Sequence, residues 1–129
     1  MELRIAIDTN RYRDFVEGLP ETVGVFRNAE RIFVPFIVIA ELRAGFAVGS
    51  RTAENERVFE RFLHRDRIEI LLSTMETTRR YAELFRMLRT AGTPIPTNDI
   101  WIAALVVQHD LPLYTRDRHF DALPQLVRM

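Results

Sequence analysis

The residues of this sequence best suited to do chemistry are four carboxylates set in or beside apolar runs. Asp99 stands at the head of TNDIWIAALVVQ (Thr97 to Gln108), and Glu41 lies inside FIVIAELRAGF, among Phe36, Ile37, Val38, Ile39, Ala40 and Leu42. Asp8 closes the run LRIAID, and Asp117 follows LPLYT after a single intervening arginine. Each acid alone has an ordinary explanation. Asp8 suits a turn in DTN, and Glu41 an exposed helix face. Asp99 near a helix N-terminus is favoured by the macrodipole by about 0.3–1 kcal/mol, and Asp117 fits a surface turn between Arg116 and Arg118. Their joint placement asks for more. Two like charges 4 Å apart repel by about 4 kcal/mol at an effective dielectric near 20, so a converged cluster needs protons or a cation to neutralise it. Hard divalent cations prefer carboxylate oxygens, and Mg²⁺ keeps several of its waters. Such waters are more acidic and can attack a phosphodiester, while the cation stabilises charge developing on the phosphoryl oxygens.

Positioning those acids is the work of the surrounding elements. LRIAID (Leu3 to Asp8), RIFVP (Arg31 to Pro35), RIEILL (Arg67 to Leu72) and LPLYT (Leu111 to Thr115) predict short buried strands, with QLVRM a possible fifth. Between them, helical periodicity covers Phe36 to Val48, Thr52 to His64 and Thr74 to Ala91. A further helix runs from about Asp99 to His109, with Thr97 or Asn98 as its cap. Strands separated by helices imply parallel crossovers and a sheet covered on both faces. Such sheets bind ligands beyond the carboxyl ends of their strands, where strand order reverses. Asp8 and Asp117 both sit at or just after such ends.

Composition narrows the field. At 129 residues the chain has the size of one domain, and 47% hydrophobic content suffices for a core. Eighteen basic residues balance eighteen acidic ones, which argues against indiscriminate nucleic-acid binding through a large basic face. Every basic residue is arginine, whose planar fork suits phosphate oxygens. The absence of cysteine excludes thiol catalysis, disulfides and thiolate metal sites. MELRIAID does not resemble a signal peptide, and no apolar run reaches the roughly 20 residues of a membrane span. The expectation is a single soluble, cytoplasmic domain over residues 1–129.

In this order and spacing, IDTN (Ile7–Asn10), PFIVIAELRAG (Pro35–Gly45), NDIWIAA (Asn98–Ala104) and TRDRHF (Thr115–Phe120) resemble the PIN-domain ribonucleases. The closest likeness is to the VapC-type toxins of type II toxin–antitoxin systems, from Ile5 to about Leu126. The resemblance implies a three-layer α/β/α sandwich around a parallel sheet of about five strands. It also implies metal-dependent hydrolysis of RNA with Mg²⁺ or Mn²⁺, leaving 5′-phosphate and 3′-hydroxyl ends. Asp8, Glu41, Asp99 and Asp117 match the acidic catalytic and metal positions; Asn10 and Thr115 match the supporting polar ones. A cognate VapB-like antitoxin covering the active-site groove, and a homodimer, are the implied partners besides RNA.

Arg11, Tyr12 and Arg13 depart from the family, in which apolar residues follow DTN. Arg11 or Arg13 is therefore a candidate contact to RNA phosphate or to an acidic antitoxin segment. Arg116 and Arg118, flanking Asp117, are further RNA-binding candidates, with offsetting of the acidic cluster as the competing role. His119 is expected as a polar neighbour of the packing anchor Phe120 rather than as a general base. Trp101 is expected in the core or a dimer interface, and Arg43 either beside Glu41 or on the surface. Two other functions stay open: a different metal-dependent phosphoryl-transfer enzyme, such as a DNA nuclease or phosphatase, and a PIN-like binding module without catalysis.

Overall fold

The computed structural model describes residues 2–129. Four parallel strands, β1 (Arg4–Ile7), β2 (Arg31–Pro35), β3 (Ile68–Leu71) and β4 (Leu113–Tyr114), form one sheet in the order β3-β2-β1-β4. Ile5 pairs with Ile32, Val34 with Ile70, and Ala6 with Leu113. β1 and β2 carry almost unbroken apolar residues because helices flank the sheet, and Ile5, Ala6, Ile7, Ile32 and Val34 are at most 1% exposed. The chain steps outward from β1 to β2 and β3, then returns across the sheet to β4. Strand order thus reverses at β1, and the crevice at the carboxyl ends of β1 and β4 is where such a sheet accepts a ligand.

Six helices make the crossovers: α1 (Thr9–Val16), α2 (Pro20–Asn28), α3 (Phe36–Val48), α4 (Thr52–Leu63), α5 (Met75–Ala91) and α6 (Thr97–Gln108). α6 is apolar on nearly every side because it is the innermost, burying Ile100 and the whole run Ile102 to Val106. α5 packs on it through Leu84 and Leu88, with the Tyr81 and Trp101 rings stacked at 4.2 Å. Gly92, at φ +71°, supplies the left-handed turn that ends α5. Tyr12 and Phe15 of α1, Phe26 of α2, and Phe59 and Phe62 of α4 form a second cluster of rings, tying these three helices together. No helix among the described residues is long and apolar enough to cross a membrane.

Three expectations need correction. The sheet has four strands rather than about five. QLVRM makes one isolated parallel bridge, Arg128 to Leu113, because the two-residue β4 offers too short an edge to extend. DTN opens α1 instead of a turn, its helical period masked by Arg11, Arg13 and Asp14 on a short helix, and α2 follows it from Pro20. The cap of α6 is Pro96 rather than Thr97 or Asn98, which leaves the Asn98 side chain for another task.

Candidate active site

Asp8 leaves the carboxyl end of β1 and becomes the N-cap of α1 in a single residue. Its Oδ1 accepts the Arg11 backbone N–H at 3.0 Å, and its Oδ2 accepts the Thr115 hydroxyl. Only 5% of Asp8 is exposed, and burial pushes its carboxyl above the usual range against those two hydrogen bonds; the nearby charge of Asp117 adds to the rise. Thr115, just past β4, also accepts the Asp117 N–H at 3.0 Å, so one hydroxyl fixes both acids across the switch point.

Asp99 lies in the first turn of α6 and Asp117 caps the 3₁₀ turn Arg118–Ala122, accepting the His119 N–H at 2.9 Å. That turn folds His119 back over the cleft: its Nδ1 stands 2.8 Å from Asp99 Oδ2 and 3.3 Å from Asp117 Oδ1. Donor atoms of Asp99, Asp117 and His119 all lie within 4.8 Å of one another, a spacing that one cation can bridge. Burial raises the Asp99 carboxyl; His119 opposes the rise, whereas Asp117 and Glu41 reinforce it. Glu41 faces the cleft from α3, its Oε1 accepting the Thr9 hydroxyl at 2.7 Å and its Oε2 the Asn98 amide at 3.4 Å. Asp8, Asn10, Glu41, Asp99 and Asp117 therefore line one cleft, with Arg13 at its edge.

The four arginine candidates separate sharply. Arg11 is turned inward, its guanidinium 4.0 Å from the centre of the Tyr114 ring and 3.4 Å from Asp14, with the side chain 12% exposed. It is a packing residue, away from the rim where the sequence places it. Arg116 grips Asp14 with two bonds, Nε at 2.9 Å and Nη2 at 3.1 Å. That contact holds the buried Asp14 carboxyl below its ordinary value and raises Arg116 in turn. Arg118 is exposed and Arg13 reaches the cleft; neither has a carboxylate within 4.0 Å among the described residues. Arg43 is taken by Glu56 and Glu60 of α4 and leaves Glu41 alone.

Thr9 and Asp14 had no reading in the sequence, whereas Asn98 was expected as a helix cap and His119 as a polar neighbour of Phe120; Asn98 instead donates to Glu41 and His119 stands against Asp99. His119 had one signal, its position two residues after Asp117, which any tight turn brings to the same side. Thr9 and Asn98 each adjoin a site acid in sequence and serve a different one in space.

The PIN domain family model matches residues 5–126. Ribonuclease VapC4 of Mycobacterium tuberculosis is 30% identical over 93 residues, which is 72% of each chain. Among solved structures, VapBC2 from Rickettsia felis, bound to a DNA fragment from the promoter of the pair, matches with a TM-score of 0.85 and 26% identity over 98% of both chains. VapBC-5 of Mycobacterium tuberculosis, from the VapBC family of toxin–antitoxin systems, matches with a TM-score of 0.76 and 25% identity over 98% of this chain and 97% of its own. By the family model over residues 5–126 and the likeness to VapC4, the chain belongs to the PIN-domain family, among its VapC-type members.

Proposed function

We propose that this protein is a divalent-metal-dependent endoribonuclease and the toxin of a VapBC-type pair. The observation that carries the reading is the convergence of Asp8, Glu41, Asp99 and Asp117 on one cleft from four separate segments. The donor set fits a hard cation: carboxylate oxygens predominate, with one imidazole, and Asp8 has no basic side chain within 4.0 Å among the described residues. Asp8, Asp99 and Asp117, with Glu41 across from them, are the residues that would hold Mg²⁺ or Mn²⁺. Bound there, such an ion supplies Lewis acidity toward water and toward the phosphoryl oxygens.

The chain's own groups do the rest. Asp8 is oriented before substrate arrives by Thr115 and the Arg11 amide, which lowers the cost of assembling the site. Glu41, steadied by Thr9 and Asn98, and Asp99, steadied by His119, are the bases available to take a proton from the attacking water. Water attacks phosphorus, the bond to the 3′-oxygen breaks, and the products are a 5′-phosphate and a 3′-hydroxyl. Arg118, exposed beside Asp117, is suited to a substrate phosphate. A cognate antitoxin over the groove completes the reading, in keeping with the VapBC pairs that share the fold, and to it we add a homodimeric toxin.

The experiment is incubation of cellular RNA with purified, antitoxin-free protein in Mn²⁺, in Mg²⁺ and in EDTA, with single-stranded DNA and a simple phosphoester in parallel. Discrete metal-dependent RNA fragments with 5′-phosphates, absent with Asp8→Asn and Asp99→Asn, are expected. Turnover confined to DNA or to the phosphoester would reassign the substrate. Folded, metal-binding protein that cleaves nothing would leave a docking module, and 2′,3′-cyclic phosphate ends would mean attack by the ribose hydroxyl.

A further inference from the structure

Arg13 and Gly45 meet at the lip of the acidic cleft, and the chemistry described so far uses neither. Arg13 lies on α1 one and a half turns past the Asp8 cap and lines the cleft with Asp8, Glu41 and Asp99. Its Nη2 lies close to Gly45 of α3, 3.0 Å from where an added Cβ would stand. Gly45 sits inside α3 without a positive φ, so backbone conformation gives no reason for a glycine that weakens a helix relative to alanine. It is also one helical turn from Glu41, on the same face, which sets the seated guanidinium one turn along α3 from a site carboxylate. Arg11 and Arg116 are committed to Asp14, whereas Arg13 has no carboxylate within 4.0 Å among the described residues. The same side chain lines the neighbouring groove over α1, α3 and α4, whose polar lining is Arg51, Asn55 and the acids Glu17 and Glu54, with Arg51 paired to Glu54. It therefore stands where the two depressions join.

We infer that Arg13 is a substrate-positioning residue, gripping the RNA phosphate next to the scissile one where the strand passes from the catalytic cleft into this groove, and that Gly45 is glycine to seat its guanidinium. The planar fork binds two phosphate oxygens at once, which fixes direction as well as distance. This inference rests on the ribonuclease reading above.

The test is steady-state cleavage of a defined RNA oligonucleotide by wild type, Arg13→Ala, Arg13→Lys, Gly45→Ala and the Arg13→Ala/Gly45→Ala pair, from about 50 to about 200 mM salt. Arg13→Ala should raise KM roughly tenfold with kcat held within about twofold, as for lost binding shared by ground and transition states. The slope of log kcat/KM against log salt should flatten by about 0.7, the value of one phosphate contact on a single strand. Arg13→Lys should recover part of the loss. Gly45→Ala should raise KM by a smaller factor than Arg13→Ala, since the added methyl displaces the guanidinium without removing it, although its Tm stays or rises because alanine favours the helix. On the Arg13→Ala background Gly45→Ala should add nothing. A wild-type KM and salt slope in Arg13→Ala overturn the role of Arg13. A Gly45→Ala effect undiminished on that background overturns the seat. Wild-type protein that cleaves no RNA overturns the ribonuclease reading and this inference with it, an outcome plainly distinct from the other two.

Discussion

Asp8 and Asp14 belong to the same helix, one as its cap and one in its last turns, and each is 5% exposed. Their charges meet opposite fates. Asp14 is clasped by Arg116 and approached by Arg11, and its carboxyl is held below the ordinary value by those guanidiniums. Asp8 accepts hydrogen bonds only from an amide and a hydroxyl, and burial drives its carboxyl up against these and the more distant charge of Arg11. A buried carboxylate that the protein neutralises itself is architecture; one left with neutral donors is ready for a cation from outside. The two are also linked. Arg11 gives its amide to Asp8 and its guanidinium to Asp14, while Thr115 and Arg116, adjacent residues, divide between the same two acids. The Asp14 cluster thus splices α1 to the segment after β4 and braces the site acid between them.

The largest effect should come from Asp8→Asn. RNA cleavage should fall by at least about a hundredfold, because an amide is a poorer partner for a cation, yet the metal-free protein should melt a few degrees higher, having lost a desolvated charge. A lower Tm in EDTA would sink the contrast with Asp14. For Asp14→Asn we expect a lower urea-unfolding midpoint, by less than breaking a fully buried pair would cause because Arg116 is half-exposed and solvent screens the contact. Mn²⁺ affinity should change little; a variant of full stability would show that Asp14 braces nothing. Next in size is His119→Gln, which should weaken Mn²⁺ binding roughly tenfold, as is common when the partner of a ligand is altered. Unchanged binding in a metal titration would put His119 outside the site.

The smallest effect is in acid. A carboxyl whose folded pKa is depressed contributes stability that is present above its unfolded value, here 3.8, and lost as pH falls through the folded value. The stability gap between wild type and Asp14→Asn should therefore be widest above about pH 5 and close as the pH drops below 3.8. Asp8 has the opposite sign: its raised pKa favours the folded state when protonated, and the cost of ionising it grows as pH rises. A gap that stayed constant to low pH would mean that Asp14 stabilises through shape rather than charge.

Much of this was legible in the residues. LRIAID and RIFVP read as buried strands because the faces of a covered parallel sheet need no polar alternation, and the strand–helix order already implied the crossovers. All four acids were visible as charges in apolar surroundings, and the structure brings them to one cleft. α1 was not legible, since eight residues carrying Arg11, Arg13 and Asp14 give too short and too charged a stretch for a period to emerge. Nor was the loss of the fifth strand, which depends on the length of β4, the strand that would have to receive it.

By itself the sequence determined where chain segments turn apolar, which residues carry charge within them, and hence that acids would gather at the carboxyl ends of a parallel sheet. Only the tertiary structure decided which arginines are spent on Asp14, that His119 folds over Asp99, and that Thr9 and Asn98 hold Glu41. The physical reason is range. Helix and strand patterns arise between residues a few positions apart, whereas Thr115 meets Asp8 across 107 positions and Arg116 meets Asp14 across 102. No local pattern records such pairings until the packing of the sheet and its helices brings them within a hydrogen bond's reach.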